Sequence, residues 1–114
     1  MKRKYEKPTV ISKELTIQIL NGNGTVEEKV NSIIRAVSTI EDQAWLVNLC
    51  LKYMDHEDQW IAGAAINGLG DIARIFGRLD MEMILKKLDL LRPKRKELAG
   101  KIEDAIDDIK KFKH

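Results

Sequence analysis

His56 stands between Asp55, Glu57 and Asp58, the one place where this chain gathers an imidazole with carboxylates. Such groups can hold a transition metal, but consecutive side chains in a turn diverge, and no second His or Cys is placed to complete a ligand set. Helix capping and compensation of the helix dipole explain the acids more simply. Glu103 with Asp107, and Asp104 with Asp108, are carboxylate pairs at i,i+4 that could share general acid–base work. Lys101, Lys110 and Lys111 flank them, and nothing in the sequence marks the burial that would shift a carboxyl into a useful range. Cys50 lies between Leu49 and Leu51 on an apolar helix face, which reads as core and not as a nucleophile. His56 and the terminal His114 have no triad pattern around them. Gly68, Gly70 and Ala73 spell a GxGxxA dinucleotide fingerprint, but that motif needs a strand before it and a helix opening at it. Here the apolar period runs unbroken through the glycines. The sequence therefore presents no catalytic constellation, no metal site and no cofactor site.

Binding chemistry is better represented. Residues 92–96 place Arg92, Lys94, Arg95 and Lys96 around Pro93, and residues 2–7 form a second basic block. Such blocks can contact phosphates, with salt-sensitive and sequence-independent affinity. No aromatic residue interleaves the 92–96 block, and acids crowd the same helix, so nucleic acid is the alternative partner and not the leading one. The net charge of +2 argues for no partner class by itself. Its distribution is informative: residues 25–58 carry three basic and seven acidic side chains, whereas residues 1–24 carry five basic and two acidic. Segregated blocks of this kind steer a charged partner without a large net charge.

The elements that must position these groups are helical. Aromatic content of 5% and only two prolines disfavour a many-stranded fold, and 114 residues suffice for one modest core. No apolar run approaches the about 18 residues that a membrane span needs. The N-terminus lacks a signal-peptide pattern, and a single cysteine excludes an internal disulfide. These features predict a cytoplasmic protein with a flexible basic arm over residues 1–10 and one domain over residues 11–114.

Residues 15–19 alternate like a strand and run into Asn21 and Gly22. No matching strand follows Gly24, so residues 11–20 read as a short helix stopped by that pair. Thr25 and Glu28 form a capping box opening a helix with Val26, Val30, Ile33, Ile34 and Val37 on one apolar face. Residues 38–42 restart a third helix, which carries Trp45, assigned by the pattern to the core between hairpins. Residues 55–58 turn into a fourth helix that Gly77 stops after Phe76. Asp80 caps a fifth through Leu91, with Met81, Ile84, Leu85, Leu88 and Leu91 buried, and Pro93 starts a sixth. Six helices make three hairpins.

The fourth helix is the most distinctive. Trp60, Ala64, Gly68 and Ile72 recur at helical spacing, and Ala62, Gly63, Ala64, Ala65, Gly68 and Gly70 make the helix thin enough for neighbours to approach on two sides. Aligning inner helices gives a step of 36 to 37 residues, with Ile33, Leu69 and Ile106 in one column and Asn31, Asn67 and Asp104 in another. Gly63, Asn67, Asp71, Arg74 and Arg78 form a polar stripe on this helix. Asn31 and Arg35 occupy corresponding places on the preceding inner helix, and Asp104 and Asp108 on the following one. Side by side, these stripes form either a partner-binding face or the solvated side of three amphipathic helices.

Residues 55–73 resemble HEAT-type repeats, including the short HEAT-like repeats related to phycobiliprotein lyases. Asp55 and Glu57 supply the acidic turn, Trp60 the first apolar position, Ala64 and Ala65 the small pair, residues 68–70 the Ala-Leu-Gly equivalent, and Ile72 the isoleucine. Ile61 departs from the arginine often found there. The resemblance implies an all-α fold, a short right-handed α-solenoid of about three helical hairpins, used as a binding scaffold. From the size of that scaffold we expect a non-enzymatic module with room for about one protein partner. An inhibitor or immunity protein that neutralises a toxin domain by occlusion is the concrete form. Asn31, Arg35, Trp60, Asn67, Asp71, Arg74, Asp104, Asp107 and Asp108 are the expected contact residues, although Trp60, at the start of an inner helix, reads equally as core or as an exposed anchor. A basic toxin or nuclease domain would complement the three aspartates of the last helix.

Overall fold

The structure, a computed structural model, describes residues 8–77 and 81–112. Within them the chain forms six α-helices: α1 (Lys13–Asn21), α2 (Val26–Thr39), α3 (Gln43–Tyr53), α4 (Gln59–Phe76), α5 (Met81–Leu91) and α6 (Ala99–Lys111). A 3₁₀ turn, Lys96–Leu98, leads into α6, and the described residues contain no strand. The basic arm at residues 1–7, the cap at Asp80, and Arg78 of the polar stripe lie outside the described residues.

The first four helices start where a side chain can satisfy their first amide groups, whereas α6 follows Leu98 with no side-chain cap. Ser12 Oγ accepts from the Leu15 amide at 3.0 Å, and the Thr16 hydroxyl donates back to the Ser12 carbonyl at 2.8 Å. This arrangement favours helix over strand for residues 13–21, with Thr16 and Leu20 buried one turn apart. The strand-like alternation came from Leu15 and Ile17, which are exposed. At α2 the capping box is complete: Glu28 donates its amide to Thr25 Oγ1 at 3.1 Å and accepts the Thr25 amide at 2.8 Å. Asp42 caps α3 through the Trp45 amide, and Asp58 caps α4 through the Trp60 and Ile61 amides. Gly77 ends α4 at φ 87°, a left-handed conformation suited to glycine.

Two expectations need correction. Pro93 does not open the last helix: the chain turns at residues 92–94, and α6 proper begins at Ala99 after the 3₁₀ turn. The Lys94 and Arg95 amides both close back on the Leu91 carbonyl, so the segment continues the end of α5 as a turn before any new helix starts. In α2, Val26 and Ile34 are exposed. Ile33 and Ile34 are adjacent and lie about 100° apart around the helix; the core takes Ile33 and leaves Ile34 exposed.

The core is organised around α4. α1 packs on α2, α3 on α4 and α5 on α6, while α4 also contacts α2 on one side and α6 on the other, the α6 contact being the most extensive. Ile61, Ala62, Ala65, Ile66, Leu69, Ile72 and Ala73 of α4 are all buried. Burying each of its larger apolar side chains contributes about 1.5–3 kcal/mol relative to exposure. The missing side chains set the spacing. A Cβ on Gly63 would meet Lys101 Cδ at 2.8 Å, and one on Gly70 would meet Asp108 Oδ2 at 3.1 Å, both on α6. On the opposite side, a Cβ on Gly68 would meet Val37 Cγ2 of α2 at 3.2 Å. The two-sided close approach expected of a thin helix is present.

Candidate protein-binding face

α2 and α4 lie side by side with a groove of about 330 Å³ between them. Ile33, Val37 and Gly68 lie deep in it, Ile34, Trp60, Asn67 and Asp71 are its more exposed lining, and Lys101 reaches in from α6. Ile34 also lines an open recess of about 710 Å³ with Asn31 and Arg35, bounded by Pro8 and Thr9. Trp60 in turn lines a shallow recess of about 480 Å³ with Glu57, Asp58, Gln59 and Glu97. Three concavities thus adjoin one another through two exposed apolar side chains. Ile34 is 46% exposed and Trp60 61%.

Large exposed apolar side chains are unremarkable singly; two that share a groove rimmed by polar groups form a surface suited to a partner. Trp60 is exposed because it sits in the first turn of α4 and its neighbour Ile61 takes the buried direction. Trp45 behaves differently. It is half-buried against the core, with Lys13 Nζ 5.7 Å from its ring centroid.

Charges on this face are partly engaged. Arg74 pairs with Asp71 at 2.6 Å and reaches Asp108 of α6 at 4.0 Å. Such half-exposed pairs contribute about 0–1 kcal/mol, so they order the rim more than they stabilise the fold. Arg35 donates through Nε to the Thr9 carbonyl at 3.2 Å and through Nη2 to the Val10 carbonyl at 3.0 Å, which holds residues 9 and 10 against α2.

The structure gathers Asn31, Arg35, Trp60, Asn67 and Asp71 around these adjoining concavities and adds Arg74 and Asp108 at the rim through their ion pair. Asp104 and Asp107 are exposed on α6, line none of the three concavities, and have no ion-pair partner among the described residues. Asp107 lies a further 100° around the helix from Asp108. Sequence reasoning missed Ile34, Lys101 and Glu97. Which of Ile33 and Ile34 faces inward is decided by how α2 packs on α4, which the apolar pattern alone does not carry. Glu97 is brought to α4 by a long-range contact of its neighbour Arg95, for which the sequence carries no signal.

That contact changes the reading of the 92–96 basic block. Arg95 donates to the carbonyls of His56 at 2.8 Å and Glu57 at 3.2 Å, and pairs through Nε with Glu97 at 2.8 Å. The Arg95 pairing holds the Glu97 carboxyl below its ordinary range. Arg92 pairs with Asp89 at 2.5 Å and approaches Glu103 at 3.9 Å. Two of the four cations are thus matched within the protein, and Lys94 and Lys96 remain exposed.

The other reactive side chains have structural duties. Cys50 is fully buried, and burial, helped by the charge of Asp71, pushes its thiol up to about 12. His56 Nδ1 accepts the Asp58 amide at 2.9 Å while its ring stacks on Tyr53, and the Asp58 carboxylate caps α4. No group of three or more His, Cys, Asp or Glu suited to a metal ion occurs among the described residues. No helix among them is long and apolar enough to cross a membrane. Compared with protein-family models, curated proteins and solved structures, the chain matches none.

Proposed function

We propose that this protein is a non-enzymatic binding module that engages one protein partner through the face formed by α2, α4 and α6. The observation that carries the reading is the pairing of exposed Ile34 and Trp60 on one groove, rimmed by Asn67, Asp71 and the Arg74–Asp108 bridge. Buried aromatic anchors surrounded by polar rims account for most of the energy of protein interfaces. The packing order, with α4 between α2 and α6 and one further helix behind each, supports a short HEAT-like solenoid of three hairpins whose inner helices present this face. Gly100 and Asp107 correspond in α6 to Gly63 and Gly70 in α4; Gly100 has open space beside it and Asp107 is exposed, as suits the last hairpin of a stack.

An inhibitor that acts by occlusion, such as a cytoplasmic immunity protein against a basic toxin domain, fits a small scaffold with one such face. The alternative, nucleic-acid binding through residues 2–7 and 92–96, is weakened by the internal pairing of Arg92 and Arg95. The test is affinity capture with tagged protein from native extract, with and without nuclease treatment, alongside Trp60→Ala and an Asp104→Lys, Asp108→Lys double variant. One stoichiometric protein lost with Trp60→Ala supports the binding face, and its loss in the double variant adds the acidic edge. Recovery of nuclease-sensitive nucleic acid, unchanged in all three proteins, would replace this reading with the alternative.

A further inference from the structure

Trp60 stands between two concavities of opposite character. On one side is the α2–α4 groove, whose lining includes Val30, Ile33, Ile34 and Ala64. On the other, Glu57, Asp58 and Glu97 line the recess at the start of α4, and no cationic side chain among the described residues lines it with them. Arg95 offsets part of the Glu97 charge, and the Asp58 carboxylate accepts the Trp60 and Ile61 amides at the start of α4. Three carboxylates with one of them matched by Arg95 leave the recess net negative next to an exposed indole. A carboxylate cluster beside an exposed indole matches one chemistry, a Lys ammonium or Arg guanidinium, which can gain both ion pairing and a cation–π contact. The adjoining groove matches an apolar side chain.

We propose that Trp60 is the specificity residue of the binding face: it seats a lysine or arginine of the partner protein in the acidic recess while an apolar side chain of the same segment enters the α2–α4 groove. This rests on the binding reading above and adds the chemistry of the partner, a basic amphipathic segment. Complementarity of charge selects that occupant over an acidic or a neutral one. The acids expected to attract a basic partner were those of α6; the geometry moves that role to Glu57, Asp58 and Glu97.

The probes are three synthetic twelve-residue peptides of alternating apolar and polar positions, with leucine throughout and arginine, glutamine or glutamate at the polar positions. Binding is followed by the indole N–H resonance of Trp60 and by the Ile34 methyl resonances in the full chain. The arginine peptide should give saturable shifts at both probes and bind roughly tenfold more tightly than the glutamine peptide. A Glu57→Gln, Glu97→Gln variant, which leaves the Asp58 cap intact, should remove most of that preference. Trp60→Leu should remove it while the Ile34 shifts persist. Equal binding of the arginine and glutamine peptides, with shifts at Ile34, overturns the cationic seat and leaves the binding face standing. Arginine-peptide shifts that avoid Trp60, or no shift at Ile34 with any peptide, overturn both; retained preference in the Glu57, Glu97 variant overturns the seat alone.

Discussion

A Cβ added to Gly68 would lie 2.7 Å from Cys50 Sγ, closer than any unstrained carbon–sulfur contact. The obstacle is a fully buried side chain of α3, with Val37 of α2 at 3.2 Å leaving no direction of escape. Gly68→Ala should therefore destabilise the protein by about 1–3 kcal/mol despite the better helix propensity of alanine. Gly100→Ala, with open space around its Cβ, should change stability in the opposite direction by about 0.5–1 kcal/mol. Denaturant melts of the two variants check the pair, and equal effects would contradict the packing described for α4.

The thiol on the other side of that contact should be chemically silent. Cys50 is held up at about 12, above its ordinary value of 9.0, because burial disfavours the thiolate. Titration with a chromogenic disulfide at pH 8 should give no reaction in native buffer and one thiol per chain in denaturant. The sign of the linkage follows: the neutral native thiol contributes stability at any pH below about 9, and that contribution is lost as pH rises from about 9 towards 12. Prompt labelling under native conditions would mean that α3 and α4 part readily.

Arg95 should matter for the fold more than for any charged ligand. It is the side chain that ties the segment before α6 to the turn before α4, through the His56 and Glu57 carbonyls. Arg95→Ala should cost about 1.5–3 kcal/mol, the range for hydrogen bonds from a charged donor. Arg95→Lys should recover only part of this, because an ammonium cannot reproduce the fork. Lys94→Ala and Lys96→Ala should leave the melting temperature unchanged.

Lys13 and Asp42 give the fold an acid-sensitive link. Their 2.6 Å pair joins α1 to the cap of α3. The Lys13 hydrogen bond, then that of the Trp45 amide, lowers the Asp42 carboxyl below its ordinary 3.8. A lowered native value stabilises the protein above about pH 4, and that contribution disappears as pH falls through the native value. Lys13→Met should flatten this part of the acid titration of stability, with Trp45 fluorescence reporting the change as the cation leaves its ring. An acid limb identical to that of the parent protein would show that the pair is broken in solution.

The helices were legible where a local cause acts alone. Thr25 with Glu28, Asp58 and Gly77 act within a few residues, so their caps and stops could be read directly from their order. The same holds for α4, where small residues at helical spacing have few other uses. The start of α6 was not legible. Pro93 is a good first residue of a helix, but the Leu91 carbonyl captures the Lys94 and Arg95 amides first, and Arg95 is drawn away to His56. For the binding face, the stripe of Asn67, Asp71 and Arg74 followed from periodicity. The exposure of Ile34 and Trp60 depended on which of two adjacent apolar residues the core would accept, and the acidic recess depended on a contact across 39 positions of chain.

The position of α4, packed on α2, α3 and α6, has a consequence for how the protein comes apart. Helices at the edge of a packed set can come loose one at a time, but here α4 supplies packing surface to α2, α3 and α6 together. Amide protons in the middle of α4 should exchange with solvent only through complete unfolding, at rates that vary with denaturant as steeply as the equilibrium transition. Those of α1, which packs chiefly on α2, should escape through a shallower local opening. The molecule should thus behave as one cooperative unit with looser margins at α1 and α5. A partner that grips α2 and α4 together would slow exchange throughout that unit, even at amides it never touches.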